Sequence, residues 1–196
     1  MISNTNRFQQ AIEKIDQENQ QDPNTELFNG QEQPKEFLYS QRMTNWLMKF
    51  QPNASEALQL AARSQHICRW TIPRESYPMD RKGYLRWRTE LKRFHAEKAE
   101  YILASTGYDQ PLIDRVKSLI LKQQMKTDAD SQTLEDVVCL VFLEYYFSEF
   151  AQKHPEEKVI SIVQKTWNKM SEGARQKALT LKFSAADFTL IEKAIS

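Results

Sequence analysis

Two histidines on separate amphipathic segments, an acidic pair opening the most apolar segment, and a run of arginines between the histidines are the residues of this 196-residue chain that could do chemistry. His66 and His95 lie 29 positions apart, so only tertiary packing can bring them together. With Asp136 as an oxygen donor they would form a mixed nitrogen and oxygen set, suited to one divalent metal such as iron, manganese or zinc. Glu135 and Asp136 are then the candidate catalytic carboxylates. The plainer alternative stands beside this one: an inward histidine is commonly a hydrogen-bonded core residue, and acids in the first turn of a helix are favoured by the helix dipole alone. Glu144, farther along the same segment, must be paired or protonated if it is buried, and an arginine is the expected partner.

The second constellation is cationic. Between Leu60 and His95 nine basic residues face three acidic ones, a surplus of six in a chain whose net charge is +1. Arginine forks grip phosphate or carboxylate in bidentate fashion, and interleaved aromatic rings can stack on a ligand. Arg42, Gln65, Arg69, Arg74, Arg81, Tyr84 and Arg88 are the candidate ligand-binding residues, and an anionic small molecule is the expected partner. The alternative is a solvated helix face with internal ion pairs. The small net charge argues against a surface built wholly to coat nucleic acid or an anionic membrane, so anion recognition must be local.

Hydrophobic spacing supplies the elements that would hold these residues. Phe8, Ile12 and Ile15 mark a helix over 6–20, and the turn-rich segment 22–34 reads as a loop. Further helices are expected over about 35–50, 54–70, 110–124, 156–170 and 173–182. A long helix opens at Gly83 and stops at Gly107, with His95 in its buried stripe of Tyr84, Trp87, Leu91 and Ile102. Residues 71–82 hold two prolines and no apolar period, a structured loop long enough to act as a lid. The segment Leu134 to Phe147 is apolar almost all round, a central helix enclosed by the others. Ser184, three residues before Asp187, caps a last helix.

The sum is an all-α fold of about seven to nine helices in a single domain spanning 1–196, with a core at about 35–150 and the C-terminal helices of 156–196 packed on it. Only 4 glycines against 27% charged residues disfavour a sheet rich in tight turns. The longest apolar run, Val137 to Leu143, falls short of the roughly 20 residues of a membrane span. The first residues carry no export pattern, and two cysteines build no disulfide framework, so a cytoplasmic setting without membrane association is expected. No Gly-rich phosphate loop, Cys-x-x-Cys pair or His-Glu-x-x-His helix occurs.

The string QHICRWTIPRESYPMDRKGYLRWRTELKRFHAEKAE, with PKEFLYSQRM before it and DSQTLEDVVCLVFLEYYF and KTWNKMS after it, resembles a family labelled only as a domain of unknown function. Some members carry a glutamyl-tRNA synthetase label, which this chain does not support, since its KMSEG at Lys169 to Gly173 is only a partial echo of such an enzyme's motif. The helix order is also distantly similar to the histidine-aspartate (HD) phosphohydrolase superfamily. That likeness implies a metal-dependent hydrolase of a phosphorylated or nucleotide-like small molecule. Its His-Asp doublet falls on Gln65-His66 here, its later histidine on His95 and its last aspartate on Asp136. The early histidine position falls near Tyr39 to Arg42, where no histidine stands. The departures point equally to a non-catalytic module that binds an anionic metabolite, a protein or RNA.

Overall fold

The computed structural model describes residues 4–123 and 127–195. Ten α-helices and one small hairpin make up its regular structure: α1 (Asn4–Asn19), β1 (Thr25–Phe28), β2 (Gln31–Pro34), α2 (Lys35–Phe50), α3 (Glu56–Ser64), α4 (Arg81–Ser105), α5 (Gln110–Leu121), α6 (Ala129–Val141), α7 (Phe147–Gln152), α8 (Glu156–Trp167), α9 (Glu172–Ala178) and α10 (Ala185–Ile195). The all-α expectation holds. The end of the helix expected at 124 lies outside the described residues.

Local chemistry sets the helix ends. Ser55, Asp80, Asp109, Asp128 and Ser171 each accept a hydrogen bond from a first-turn backbone N–H of the helix that follows. Asp187 N–H likewise donates to Ser184 Oγ at 3.1 Å, the cap expected for α10. Gly107, at φ 82°, closes α4: its N–H donates to the Ala104 carbonyl, and Tyr108 N–H reaches back to the Leu103 carbonyl. That is the left-handed termination which glycine allows without steric cost.

The core is built from α2, α3, α5 and α6, whose inward residues include Met43, Leu47, Leu58, Leu60, Leu119, Ile120, Leu134 and Leu140. Helix α4 lies on α5, and α1 crosses α2, α3 and α4. A second apolar cluster joins Phe147 of α7 to Val159 and Val163 of α8 and Ile191 of α10, with Phe142 and Phe183 shared between the two clusters. Helix α9 packs on α6. No helix among the described residues is long and apolar enough to cross a membrane.

Three elements depart from the sequence reading. The helix expected over 54–70 ends at Ser64, and His66 follows in a turn. Segment 22–34 contains a hairpin with Thr25 opposite Pro34 and Phe28 opposite Gln31. Its strands are mostly exposed, Leu27 and Phe28 included, so no alternation announced them, although Asn29-Gly30, at φ 51° and 79°, is a turn pair that favours hairpins. The apolar segment carries a π-helical turn at Phe142–Tyr146 and then continues as α7, which accounts for the tenth helix. Wider π turns re-aim side chains, and here Tyr146 meets Arg42 across the core.

Candidate functional site

Helix α3 ends just before the residues that matter. A turn over 65–68 finishes with Cys68 in the left-handed region at φ 52°, its N–H held by Asn19 Oδ1 of α1 at 3.0 Å. A 3-10 turn at Arg69–Thr71 follows. This bend sends His66 toward α2 while the Ile67 carbonyl faces α4.

His66 lies flat on Tyr39, with ring centroids 4.0 Å apart and planes 10° from parallel. Its Nδ1 is 3.3 Å from Glu36 Oε2. Arg69 Nη1 donates to His66 Nε2 at 2.9 Å and lies 3.4 Å from Nδ1, while Glu36 Oε2 takes no hydrogen bond among the described residues. His95 lies beside it, ring centroids 5.9 Å apart. His95 Nδ1 donates to the Ile67 carbonyl at 2.8 Å, which fixes its tautomer and leaves Nε2 as a lone pair, buried and without a partner. Glu36, Tyr39, His66, Arg69 and His95 thus form one polar cluster between α2, the exit of α3 and α4.

The electrostatics follow from burial among cations. Burial pulls His66 well below its ordinary value, and Arg69, His95, Arg88 and Lys122 push the same way. Burial brings His95 down to about 3, against the Ile67 carbonyl bond and with help from Arg69 and Arg88. Both histidines are therefore neutral at physiological pH. Burial also lifts the Glu36 carboxyl to about 7, although Arg69 opposes the rise. The Tyr39 hydroxyl is raised by burial and then by Glu36. Lys92, one helical turn from Arg88, is lowered by burial and by the neighbouring Lys122 and Arg88, with Glu135 opposing. Neither Arg88 nor Lys92 has a hydrogen-bond or ion-pair partner among the described residues, and both are only partly exposed.

The other expected site residues have different surroundings. Asp136 is bound within the scaffold: Ser171 donates to it twice, from N–H at 2.8 Å and from Oγ at 2.6 Å, and Gln132 Nε2 donates at 3.0 Å. Glu135 pairs with Lys122 and with Lys169; burial works to raise its carboxyl, but the two lysines outweigh it and hold the group below its ordinary value. Among the described residues no three His, Cys, Asp or Glu side chains converge as a group that could hold a metal. As a set, His66, His95 and Asp136 do not fit a divalent cation: Arg69 occupies one nitrogen, and Asp136 serves Ser171. Glu144 is exposed and accepts a hydrogen bond from the Trp46 indole rather than from an arginine.

Arg42 is buried, but Glu26 already takes its charge at 2.7 Å, and its guanidinium also donates to the Tyr146 hydroxyl. Arg74 is committed to loop 71–82, donating to the carbonyls of Tyr77, Pro78 and Asp80. The Trp87 indole N–H holds the same loop through the Ile72 carbonyl at 2.9 Å. Arg69 lies over one side of Trp87 at 4.9 Å, and Tyr84 is exposed on the first turn of α4. Arg81 is exposed and unpaired. Gln65 is buried with its Oε1 unpartnered. Cys68 and Cys139 are buried, and burial pushes both thiols up to about 12, so neither is a nucleophile at neutral pH.

The structure thus brings together His66, His95 and Arg69, and adds Glu36 and Tyr39, which sequence reasoning missed; Arg88 acts on both histidines and on Lys92, and Lys122 acts on His66 and on Lys92. Glu36 passes for an ordinary first-turn acid, and Tyr39 for a member of the apolar stripe. The signal was their spacing: Glu36, Tyr39 and Arg42 recur every three residues, a polar line along the inward face of α2. Lys92 stands four residues from Arg88 and three from His95, which places it on the histidine's side of α4.

Neither a curated protein nor a solved structure matches the chain. A family model described as "Domain of unknown function (DUF4202)" matches residues 9–191, nearly the full length, and the chain belongs to that family.

Proposed function

We propose that this domain binds an anionic metabolite, with a phosphate or carboxylate as the recognised group, at the cationic cluster between α2, the exit of α3 and α4. The observation that carries this reading is the pair Arg88 and Lys92, two part-buried cations one helical turn apart with no hydrogen-bond or ion-pair partner among the described residues; the acid that acts on Lys92, Glu135, is already paired with Lys122 and Lys169. Natural proteins rarely hold desolvated positive charges together without compensation, and a bound anion supplies it. Arg69 adds a third donor at the rim, its weak approach to Glu36 (3.9 Å) easily exchanged for a ligand oxygen. The neutral histidines and Tyr39 offer a polar, uncharged floor.

The alternative is the metal-dependent phosphohydrolase implied by the HD resemblance. One feature favours it: the His95 lone pair, backed by a carbonyl in the manner of metal-bound histidines. The remaining members of that ligand set are engaged elsewhere, so the binding reading stands first.

Thermal unfolding in the presence of inorganic phosphate and pyrophosphate tests the proposal through preferential binding to the folded state. Stabilisation that vanishes in an Arg88→Ala, Lys92→Ala double variant and persists in Arg81→Ala supports it. Stabilisation unchanged in the double variant removes it.

A further inference from the structure

The same cluster says something about the rest of the ligand. His95 is 3% exposed, and its Nε2 is a hydrogen-bond acceptor with nothing donating to it. The tautomer is not free to change at low cost, because the Ile67 carbonyl takes the Nδ1 hydrogen at 2.8 Å. Both faces of the neighbourhood are also fixed: Phe94 lies edge-on to the His95 ring at 5.8 Å, and His66 lies 5.9 Å away, held against Tyr39. The side chain of His66, its ring 5.9 Å from that of His95, keeps 21% of its surface exposed. A buried acceptor left unsatisfied costs roughly 1–3 kcal/mol, and such atoms in folded proteins commonly meet a water, an ion or a ligand.

The groups around this nitrogen decide which. Arg69 and Arg88 lie close enough to His95 to depress its basicity, a positive field that disfavours a cation. A fully deprotonated oxyanion has no hydrogen to donate to an unprotonated nitrogen. A neutral donor satisfies both conditions, and Arg69 and Arg88 place an anionic group beside it.

We propose that the ligand of this cluster is an anion carrying a neutral hydrogen-bond donor, a hydroxyl on a short-chain phosphate ester, and that this hydroxyl donates to His95 Nε2. The inference rests on the anion-binding reading and extends it from charge to ligand class.

The test compares ethyl phosphate with 2-hydroxyethyl phosphate, which differ by one hydroxyl, by calorimetric titration of the full chain. The hydroxylated ester is expected to bind about five-fold more tightly, the share of one buried neutral hydrogen bond. In His95→Phe, which keeps a ring but loses the acceptor, the two esters bind alike. Because that variant also gives up the Ile67 contact and can fail to fold, a second readout uses the unaltered protein. With histidine labelled by nitrogen-15, the chain shows only three imidazoles, and the His95 Nε2 resonance moves with 2-hydroxyethyl phosphate and not with ethyl phosphate. Equal binding of the two esters with no movement of that resonance overturns the hydroxyl assignment and leaves the anion site standing. Failure of both esters to bind overturns the anion site itself, and the hydroxyl assignment with it. A response of the same nitrogen to manganese or zinc alone overturns the assignment by making His95 a metal ligand.

Discussion

Replacing Glu36 by glutamine should change how stability depends on pH, in a direction that follows from the burial of that carboxyl. The unfolded chain titrates it near 4.5, and the folded chain holds its proton up to about 7. The folded pKa is the higher one, so the group's contribution is fully present below pH 4.5 and is lost as pH rises through about 7. Each unit of separation is worth about 1.36 kcal/mol, and the full penalty above pH 8 approaches roughly 3 kcal/mol. Screening removes little of this, since the side chain is 15% exposed. Between pH 5 and pH 8 the wild type should lose roughly 2–3 kcal/mol through this group alone. Glu36→Gln mimics the protonated form and lacks that loss, so its advantage over wild type grows across the interval. Urea unfolding followed by tryptophan fluorescence at pH 5, 6, 7 and 8 measures the gap directly. The difference between the two proteins isolates Glu36 from the histidines, which are common to both. A gap that stays constant with pH would show that the carboxylate is already compensated in the folded state, and the argument for a desolvated acid beside His66 would fail.

Other expectations are independent of that one. Asp136→Ala removes the acceptor of two Ser171 donors and one from Gln132, and should cost about 2–3 kcal/mol in urea unfolding while leaving anion binding at wild-type strength; loss of binding without loss of stability would restore Asp136 to the site. Gly83→Ala drives a new methyl into the Pro78 carbonyl, which is backbone and cannot swing aside. The melting temperature should fall by several degrees, as for about 2 kcal/mol of overpacking, and an unchanged value would mean that loop 71–82 is not held against α4. Dialysis against a chelator should leave the melting temperature where it was, and a fall reversed by added zinc or manganese would revive the metal reading.

How much of this was legible in the sequence depends on which forces decide each element. The long helices were readable because their apolar stripes are strong and their ends carry local signals: Asp80 caps α4, Gly107 stops it, and Ser184 starts α10. The hairpin at 25–34 was not, because its strands bury almost nothing and so carry no alternation. His66, His95 and Arg69 were singled out by type and spacing, and the fold places their side chains side by side. Asp136 was misplaced because burial of a carboxylate, which the apolar segment correctly implied, does not say which donor satisfies it. Ser171, 35 residues later, takes that role through a tertiary contact that no local pattern encodes. Arg42 and Arg74 went the same way, one neutralised by Glu26 on the unforeseen hairpin and the other spent on loop carbonyls. Glu36 was overlooked for the converse reason, since a first-turn acid has a sufficient local explanation.

The central claim is that Arg88 and Lys92 hold an anion, and a crystal soaked in selenate tests it most directly, because selenium marks the oxyanion by its anomalous scattering. An anion held there gives a peak within hydrogen-bond distance of both side chains, with Arg69 turned toward it. A peak confined to exposed cations such as Arg81, with the space beside Arg88 and Lys92 filled only by water, would contradict it.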